Sequence, residues 1–237
     1  MKLRFITLLA MLFLAFAGVA NAQNGAFAPY VDGSISFSGT GSVTSTSNPN
    51  FTVGGGVESS TKHLLLDVNA QFNSANVSSL GGILSNTGGY TGTATGSAYY
   101  KLGGFLLGGG AFWSNQVASG QTLGESLSNV SFNYKQVRAF VGGGYQFKHD
   151  RIIATYLLPG IDQIQGAGLQ NAFTGVNSRV GTVNNEIFLG TTGLRKHLRL
   201  TQTVSVASSN TNLQAAFSSA GLRTSTVTAG AGLKFVF

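Results

Sequence analysis

The sequence predicts an all-β chain that closes into an antiparallel, up-and-down transmembrane β-barrel. Segments of about ten residues alternate apolar with small or polar side chains, as strands with one apolar and one wet face do. Only 9% of the 237 residues are charged, against about a quarter in ordinary soluble domains. Long polar connections alternate with short turns, as they do in membrane-spanning barrels. These three observations predict ten strands, with eight or twelve as the alternatives.

The N-terminal segment has the pattern of a secretory signal peptide. A basic start precedes the apolar run Phe5 to Val19, and Ala20 and Ala22 flank Asn21 in an A-x-A cleavage motif. A retained membrane helix is the alternative, but this run is at the short end for spanning a bilayer. The predicted division is a cleaved signal peptide at 1–22 and one β-barrel domain at 23–237.

Ten segments show the alternation expected of strands. They are Tyr30–Ser38, Phe51–Glu58, Leu64–Phe72, Ala94–Leu102, Phe105–Trp113, Val137–Phe147, Ile152–Leu158, Arg179–Thr192, Leu198–Val206 and Thr224–Phe237. We expect the last of them to pair with the first and close the barrel. Most of them are close to the 9–11 residues that a tilted crossing needs.

Three residues disturb this pattern. Asn185 spoils the phase of its strand, and Gln202 interrupts the apolar face of the next. Pro159 is predicted to end its strand because proline cannot donate a hydrogen bond to the ladder. The poorly phased Arg179–Thr192 segment is the reason for keeping eight and twelve strands open.

The connections fall into two classes. Four are short turns, near Ser60–Lys62, Lys101–Gly104, Lys148–Arg151 and Arg195–His197. Five are long and polar, at Gly39–Asn50, Ser74–Gly89, Asn115–Ser131, Pro159–Ser178 and Ser208–Ala220. In an outer-membrane barrel the short turns are periplasmic and the long loops extracellular.

Aromatic residues mark the two expected membrane interfaces. Phe105 and Trp113 are eight residues apart on one strand, or roughly 20 Å of height at a tilt near 40°. Phe105, Tyr145 and Phe147 are predicted to belong to the periplasmic girdle and Trp113 to the outer one.

The charges on strands fall mostly on the lumen-facing phase. They are Asp32, Glu58, Asp67, Lys101, Arg138, Glu186, Arg199 and Lys234. A ten-stranded barrel is narrow, so opposite charges are expected to pair across it. Two interpretations stay open, namely an ion-pair network that fills the lumen and the constriction of a small pore.

Three strands carry Gly-Gly-Gly near mid-height, at 54–56, 108–110 and 142–144. No G-K-[ST] follows any of them, so a phosphate-binding loop is disfavoured. The runs are predicted to permit curvature and to leave space for large side chains inside the barrel.

The sequence offers no set of residues suited to catalysis. His63, His149 and His197 all fall at or beside the short turns, away from the outer face where barrel enzymes hold their histidines. With no cysteine and few, scattered carboxylates, no metal site or other cofactor is predicted. The formal charge of +7 suits anionic lipid and lipopolysaccharide, and nucleic acid is not expected as a partner of an exported chain.

The C-terminal residues carry the one specific family resemblance. Gly232, Phe235 and Phe237 resemble the C-terminal sorting signal of bacterial outer-membrane β-barrels, although Gly230 stands where those barrels usually have a polar residue. The whole mature chain resembles the small barrel families of the OmpA-type transmembrane domain. This resemblance implies the bacterial outer membrane as the location and insertion by the barrel-assembly machinery.

The predicted function is a non-enzymatic outer-membrane barrel with a structural or surface-interaction role. The alternative is a narrow, porin-like channel for small solutes, and a barrel enzyme is the least favoured reading. The sequence predicts neither a ligand nor an oligomeric state.

Overall fold

A computed structural model gives the fold of the chain. It describes residues 27–40, 49–74, 84–122, 130–166, 173–190, 192–213 and 221–237. The predicted signal peptide, with Ala20 and Ala22, lies outside the described residues. Within these ranges no helix is both long enough and apolar enough to cross a membrane.

Eleven strand segments make up almost all of the described chain. They are β1 (Ala28–Thr40), β2 (Asn50–Ser60), β3 (Leu64–Ser74), β4 (Leu84–Leu102), β5 (Phe105–Thr122), β6 (Val130–Gln146), β7 (Asp150–Leu157), β8 (Ile161–Gly166), β9 (Phe173–Phe188), β10 (Leu198–Leu213) and β11 (Gly221–Val236). One turn of 3₁₀ helix, Gly193–His197, connects β9 to β10.

The strands close into a barrel of ten strands. Each pairs antiparallel with its sequence neighbours, and β7 and β8 both pair with β6, as two segments of one interrupted strand. The first and last strands close the ring, with Tyr30 opposite Val236 and Thr40 opposite Thr226. The predicted fold class, strand number and closing pair are therefore confirmed.

The interruption lies at Pro159, where the sequence predicted the end of a strand. Leu157 pairs with Phe140, and the ladder along β6 resumes with Ile161 opposite Val137. Between these two pairs, three residues (158–160) thus face two residues of β6 (138 and 139), and one extra residue is the signature of a bulge. Pro159 ends β7 as expected, but the prediction of a long loop after it is wrong, because β8 resumes pairing with β6.

The other long connections are also shorter than predicted. Strand β4 begins at Leu84, β5 continues to Thr122, β9 begins at Phe173 and β10 continues to Leu213. These extensions are rich in Ser, Thr, Asn and Gly and lack an apolar face. Backbone hydrogen bonds to the neighbouring strand maintain them without that face, so the alternation pattern missed them.

The outer surface of the barrel is apolar. Phe51, Val53, Phe105, Leu107 and Leu233 are all more than half exposed, with Leu107 reaching 68%. The charged residues Glu58, Arg138, Arg151 and Lys234 are instead buried inside. A closed ladder with a lipid-compatible exterior is the arrangement that lets strands cross a bilayer without unpaired amides. The chain is a transmembrane β-barrel.

Candidate functional site in the barrel lumen

A compact group of five charged side chains occupies the lumen near the short-turn end. We call it the ionic cluster, and its members are Glu58, Arg151, Glu186, Arg199 and Lys234. They come from five different strands, β2, β7, β9, β10 and β11. Four of the five are buried, and the side chain of Arg199 is only 15% exposed.

Two carboxylates share three cations in this cluster. Glu58 accepts from Arg151 at 2.8 Å, from Arg199 at 3.1 Å and from Lys234 at 3.1 Å. Glu186 is paired with Arg151, with Arg199 at 3.0 Å and with Lys234 at 3.4 Å. Every cation therefore touches both carboxylates, and none of the five charges lacks a partner.

Strand register brings these residues to one level. Glu186 lies directly opposite Arg151 across the β7–β9 pair, and Arg199 lies opposite Lys234 across the β10–β11 pair. Glu58 projects from β2 and contacts a member of each pair. Because the barrel is narrow, long side chains from opposite walls meet in its centre.

A second polar layer extends the cluster along β1 and β3. The Tyr30 hydroxyl donates to Asp67 at 2.8 Å, and Gln71 donates to Asp32 at 2.9 Å. Lys234 connects the layers, with its Nζ 3.7 Å from Asp67 and 3.7 Å from the centre of the Tyr30 ring. The lysine thus combines ion pairing with a cation–π contact.

The remaining side of the lumen at this end is filled by apolar groups. Leu65, Tyr99 and Leu106 are buried there, and Phe140 and Ile153 pack against them. These residues come from β3 to β7, the wall that faces β9 to β11. Polar and apolar side chains together occupy the lumen at the short-turn end.

Glycines make this filling possible where the backbone runs close to a large side chain. A Cβ built on Gly56 would lie 2.7 Å from the Tyr30 hydroxyl, and one on Gly110 would lie 2.7 Å from the Phe140 ring. Real side chains do not approach so closely. The prediction that the glycine runs leave space inside the barrel is confirmed at these positions.

The structure brings together most of the lumen charges expected from the sequence. Asp32, Glu58, Asp67, Glu186, Arg199 and Lys234 all belong to the two layers described above. Lys101 instead reaches Ser60 at 2.6 Å, and Arg138, which is 2% exposed, lies on β6 beside Gly160.

Arg151 is the member that sequence reasoning missed. It was assigned to the turn Lys148–Arg151, yet β7 begins at Asp150 and Arg151 is 6% exposed inside the barrel. The missed signal is phase, since Ile152 faces outward and a strand neighbour of Ile152 must face inward.

Farther from the short-turn end, neutral polar side chains of β1, β9, β10 and β11 face the lumen. The Thr203 hydroxyl donates to Asn184 at 2.8 Å, and Ser38 and Thr228 share a hydrogen bond of 2.9 Å. Asn184 faces inward and is exposed, so solvent reaches this part of the lumen. The filled base and this neutral polar region therefore lie at different heights of the lumen.

The predicted girdle residues lie on the outer surface. At the short-turn end Tyr145 contacts Phe105 edge-to-face and Phe147 at a tilt, with ring centres 5.0 and 4.5 Å apart. Trp113 faces outward on β5, eight residues farther along, and is 43% exposed. Their predicted role in the membrane interfaces fits this placement and stays a prediction.

The residues of the predicted sorting signal lie at the end of β11. The Phe235 and Phe237 rings are 5.2 Å apart, and Gly232 is opposite Ser34 of β1. His197 stacks on Phe235, and its Nδ1 lies 2.6 Å from the Val236 carbonyl oxygen. This histidine has a structural partner at the base of the barrel.

The other two histidines also lie at the short turns, as predicted. His63 precedes β3 and His149 precedes β7, and both are exposed. Among the described residues no group of three or more His, Cys, Asp or Glu side chains is arranged to hold a metal ion.

Solved structures with a similar fold are outer-membrane barrels of several kinds. The β domain of the Bordetella autotransporter Brka is 12% identical, with a TM-score of 0.45, and the match covers 90% of this chain and 100% of that one. The outer membrane protease OmpT from Escherichia coli is 10% identical, with a TM-score of 0.43 and coverage of 90% and 94%. Neisserial surface protein A is 8% identical, with a TM-score of 0.34 and coverage of 89% and 97%.

No protein-family model and no curated protein matches the chain. At these identities and TM-scores the structural matches carry no argument about activity. The location follows from the molecule's own features: a closed, antiparallel, even-stranded barrel with an apolar exterior and a polar lumen. It is a β-barrel of the outer-membrane type. A lipid bilayer therefore surrounds its outer face.

Proposed function

We propose that this chain is a non-enzymatic outer-membrane barrel with a filled base, and that its role is structural or one of surface interaction. The observation that carries the proposal is the ionic cluster, in which Glu58 and Glu186 each contact all three cations. Together with the apolar side chains opposite, it fills the lumen at the short-turn end.

The pairing within the cluster favours a closed lumen over a conducting one. A pore needs polar groups that bind a passing solute weakly and release it. Here each charge is held by oppositely charged neighbours at 2.8–3.4 Å, and a passing ion would have to break those contacts. Separating buried partners is costly, since breaking one such pair costs about 3–5 kcal/mol.

The strand extensions favour a role at the cell surface. Beyond Trp113, β5 continues to Thr122 and pairs with β6 back to Val130 opposite Gly120. Nine residues of tilted strand correspond to roughly 20 Å beyond the outer girdle. A rigid, polar extension of that height presents the extracellular connections well clear of the lipid, where binding commonly occurs.

A narrow channel is the alternative, and the exposed Asn184 in the upper lumen favours it. On this alternative the ionic cluster at the base would have to open. In either case we expect assembly through the barrel-assembly machinery, with Gly232, Phe235 and Phe237 as the recognised signal.

Conductance in planar lipid bilayers tests the proposal. The purified, folded protein is added at the same molar amount as a general porin, which serves as the positive control. We expect the porin to give stable conductance steps and this chain to give none. Stable, stepwise conductance of the unmodified protein would overturn the closed lumen and support the channel.

A variant adds a positive result to this experiment. Arg199→Ala removes the most exposed member of the cluster and shortens a side chain that bridges both carboxylates. We expect brief, irregular openings from the variant under conditions in which the unmodified protein is silent. Its folding is checked beforehand by the shift in electrophoretic mobility on heating.

A further inference from the structure

Two amide side chains face the lipid on adjacent strands. Asn185 of β9 and Gln202 of β10 are directly opposite each other, and Asn185 Nδ2 donates to Gln202 Oε1 at 3.2 Å. They are the two residues that disturbed the alternation in the sequence. The strands keep their register here, so both amides lie on the outward-facing side.

Their surroundings are otherwise apolar. We define the apolar band as the outward-facing positions between the short-turn aromatics and the level of Trp113. Within the described strands, all positions of this band apart from Asn185 and Gln202 are aliphatic, aromatic or glycine. Val183 and Val204, the next outward residues on the two strands, are 46% and 49% exposed. Gln202 is four residues from the start of β10, or roughly 10 Å above the turn.

An amide in this position needs a protein partner. The hydrocarbon region offers neither donor nor acceptor, so polar groups there pair within or between proteins. The bond from Asn185 uses one acceptor site of Gln202. In the described part of the chain nothing accepts a hydrogen bond from the Gln202 Nε2 amide, and this side chain is exposed.

We propose that the surface around Gln202 docks against the same surface of a second copy of this chain. A primary amide is complementary to itself, since Nε2 of each donates to Oε1 of the other. A two-fold axis along the membrane normal places two Gln202 side chains at equal height, as an isologous interface requires. Val183, Val204 and Val206 then supply the apolar contact around the amide pair. The proposal is independent of whether the lumen is open.

Single-cysteine cross-linking tests the interface, because the chain has no cysteine of its own. Val204→Cys puts a thiol beside Gln202 and leaves both amides in place. Val68→Cys is the matched control, exposed on β3 at four residues above its turn, as Gln202 is on β10, but four strands away around the wall. In oxidised outer membranes we expect a disulfide-linked dimer from the first variant and almost none from the second.

The amides are then removed without disturbing the lipid-facing surface. Gln202→Leu in the Val204→Cys background is expected to lower the cross-linked fraction roughly threefold to thirtyfold. Its mobility shift on heating should be unchanged, because leucine is compatible with lipid and the lumen is untouched. Equal cross-linking at positions 204 and 68, or cross-linking insensitive to Gln202→Leu, would overturn the proposal. So would a cross-link from position 204 to a different protein.

Discussion

Individual charges in the lumen have roles that depend on their neighbours. Glu58 contacts Arg151, Arg199 and Lys234 from three other strands, so it balances more positive charge than any single pair would. The sequence predicted the lumen phase of Glu58 and Lys234 from alternation alone. It could not predict which charges meet, because that depends on barrel width and strand stagger. Arg151 was missed for a local reason, its position at the edge of a short turn.

Removing the charge of Glu58 should destabilise the barrel strongly. Glu58→Gln keeps the shape of the side chain but leaves Arg151 and Arg199 with Glu186 as their one carboxylate partner in the cluster, and Lys234 with Glu186 and the more distant Asp67. We expect a loss of about 3–5 kcal/mol in the free energy of unfolding, measured by guanidinium titration in lipid vesicles. Asp150→Asn is the control, since it removes a carboxylate at the start of β7 outside the cluster. Equal stability of the two variants would contradict the central place of Glu58.

Strands were predictable where one face is apolar and unpredictable where neither is. Alternation located the membrane-spanning part of β5 and β11, but it assigned the polar continuations of β5 and β10 to loops. Backbone pairing maintains those continuations, and composition does not report it. Pro159 shows the same limit, because the sequence shows a missing donor but not that pairing with β6 resumes at Ile161. The irregular residues Asn185 and Gln202 were visible in the sequence, while their contact required the register of β9 and β10.

The glycine run of β2 tests how closely the strand backbone packs against its neighbours and against side chains in the lumen. Gly56→Ala places a methyl group against the Val68 carbonyl oxygen of β3 and within 2.8 Å of the Tyr30 ring and hydroxyl. We expect a loss of about 1–3 kcal/mol in unfolding free energy, as for other overpacked sites. Gly96→Ala on β4 is the control, because a Cβ there meets nothing within 4 Å. A loss confined to Gly56→Ala would show that the close contacts around Gly56, and not glycine content itself, set the difference.

The molecule as a whole is a closed barrel whose lumen is filled by side chains at the short-turn end. Ten strands, an apolar exterior and the pairing of β1 with β11 were all predictable, since they follow from alternation and from the parity of long and short connections. The state of the lumen was not, because a row of inward charges predicts a filled base and a pore constriction equally well. Side-chain geometry favours the filled base. The surface around Gln202 adds a lateral contact that the barrel architecture alone does not imply.

Fractionation followed by electrophoresis with and without heating tests the transmembrane barrel most directly. Closed barrels in the outer membrane resist SDS until they are boiled, because every strand is paired on both sides. The account predicts that the protein is recovered in the outer-membrane fraction and changes its mobility after boiling. Recovery in the soluble fraction, or identical mobility before and after boiling, would contradict it.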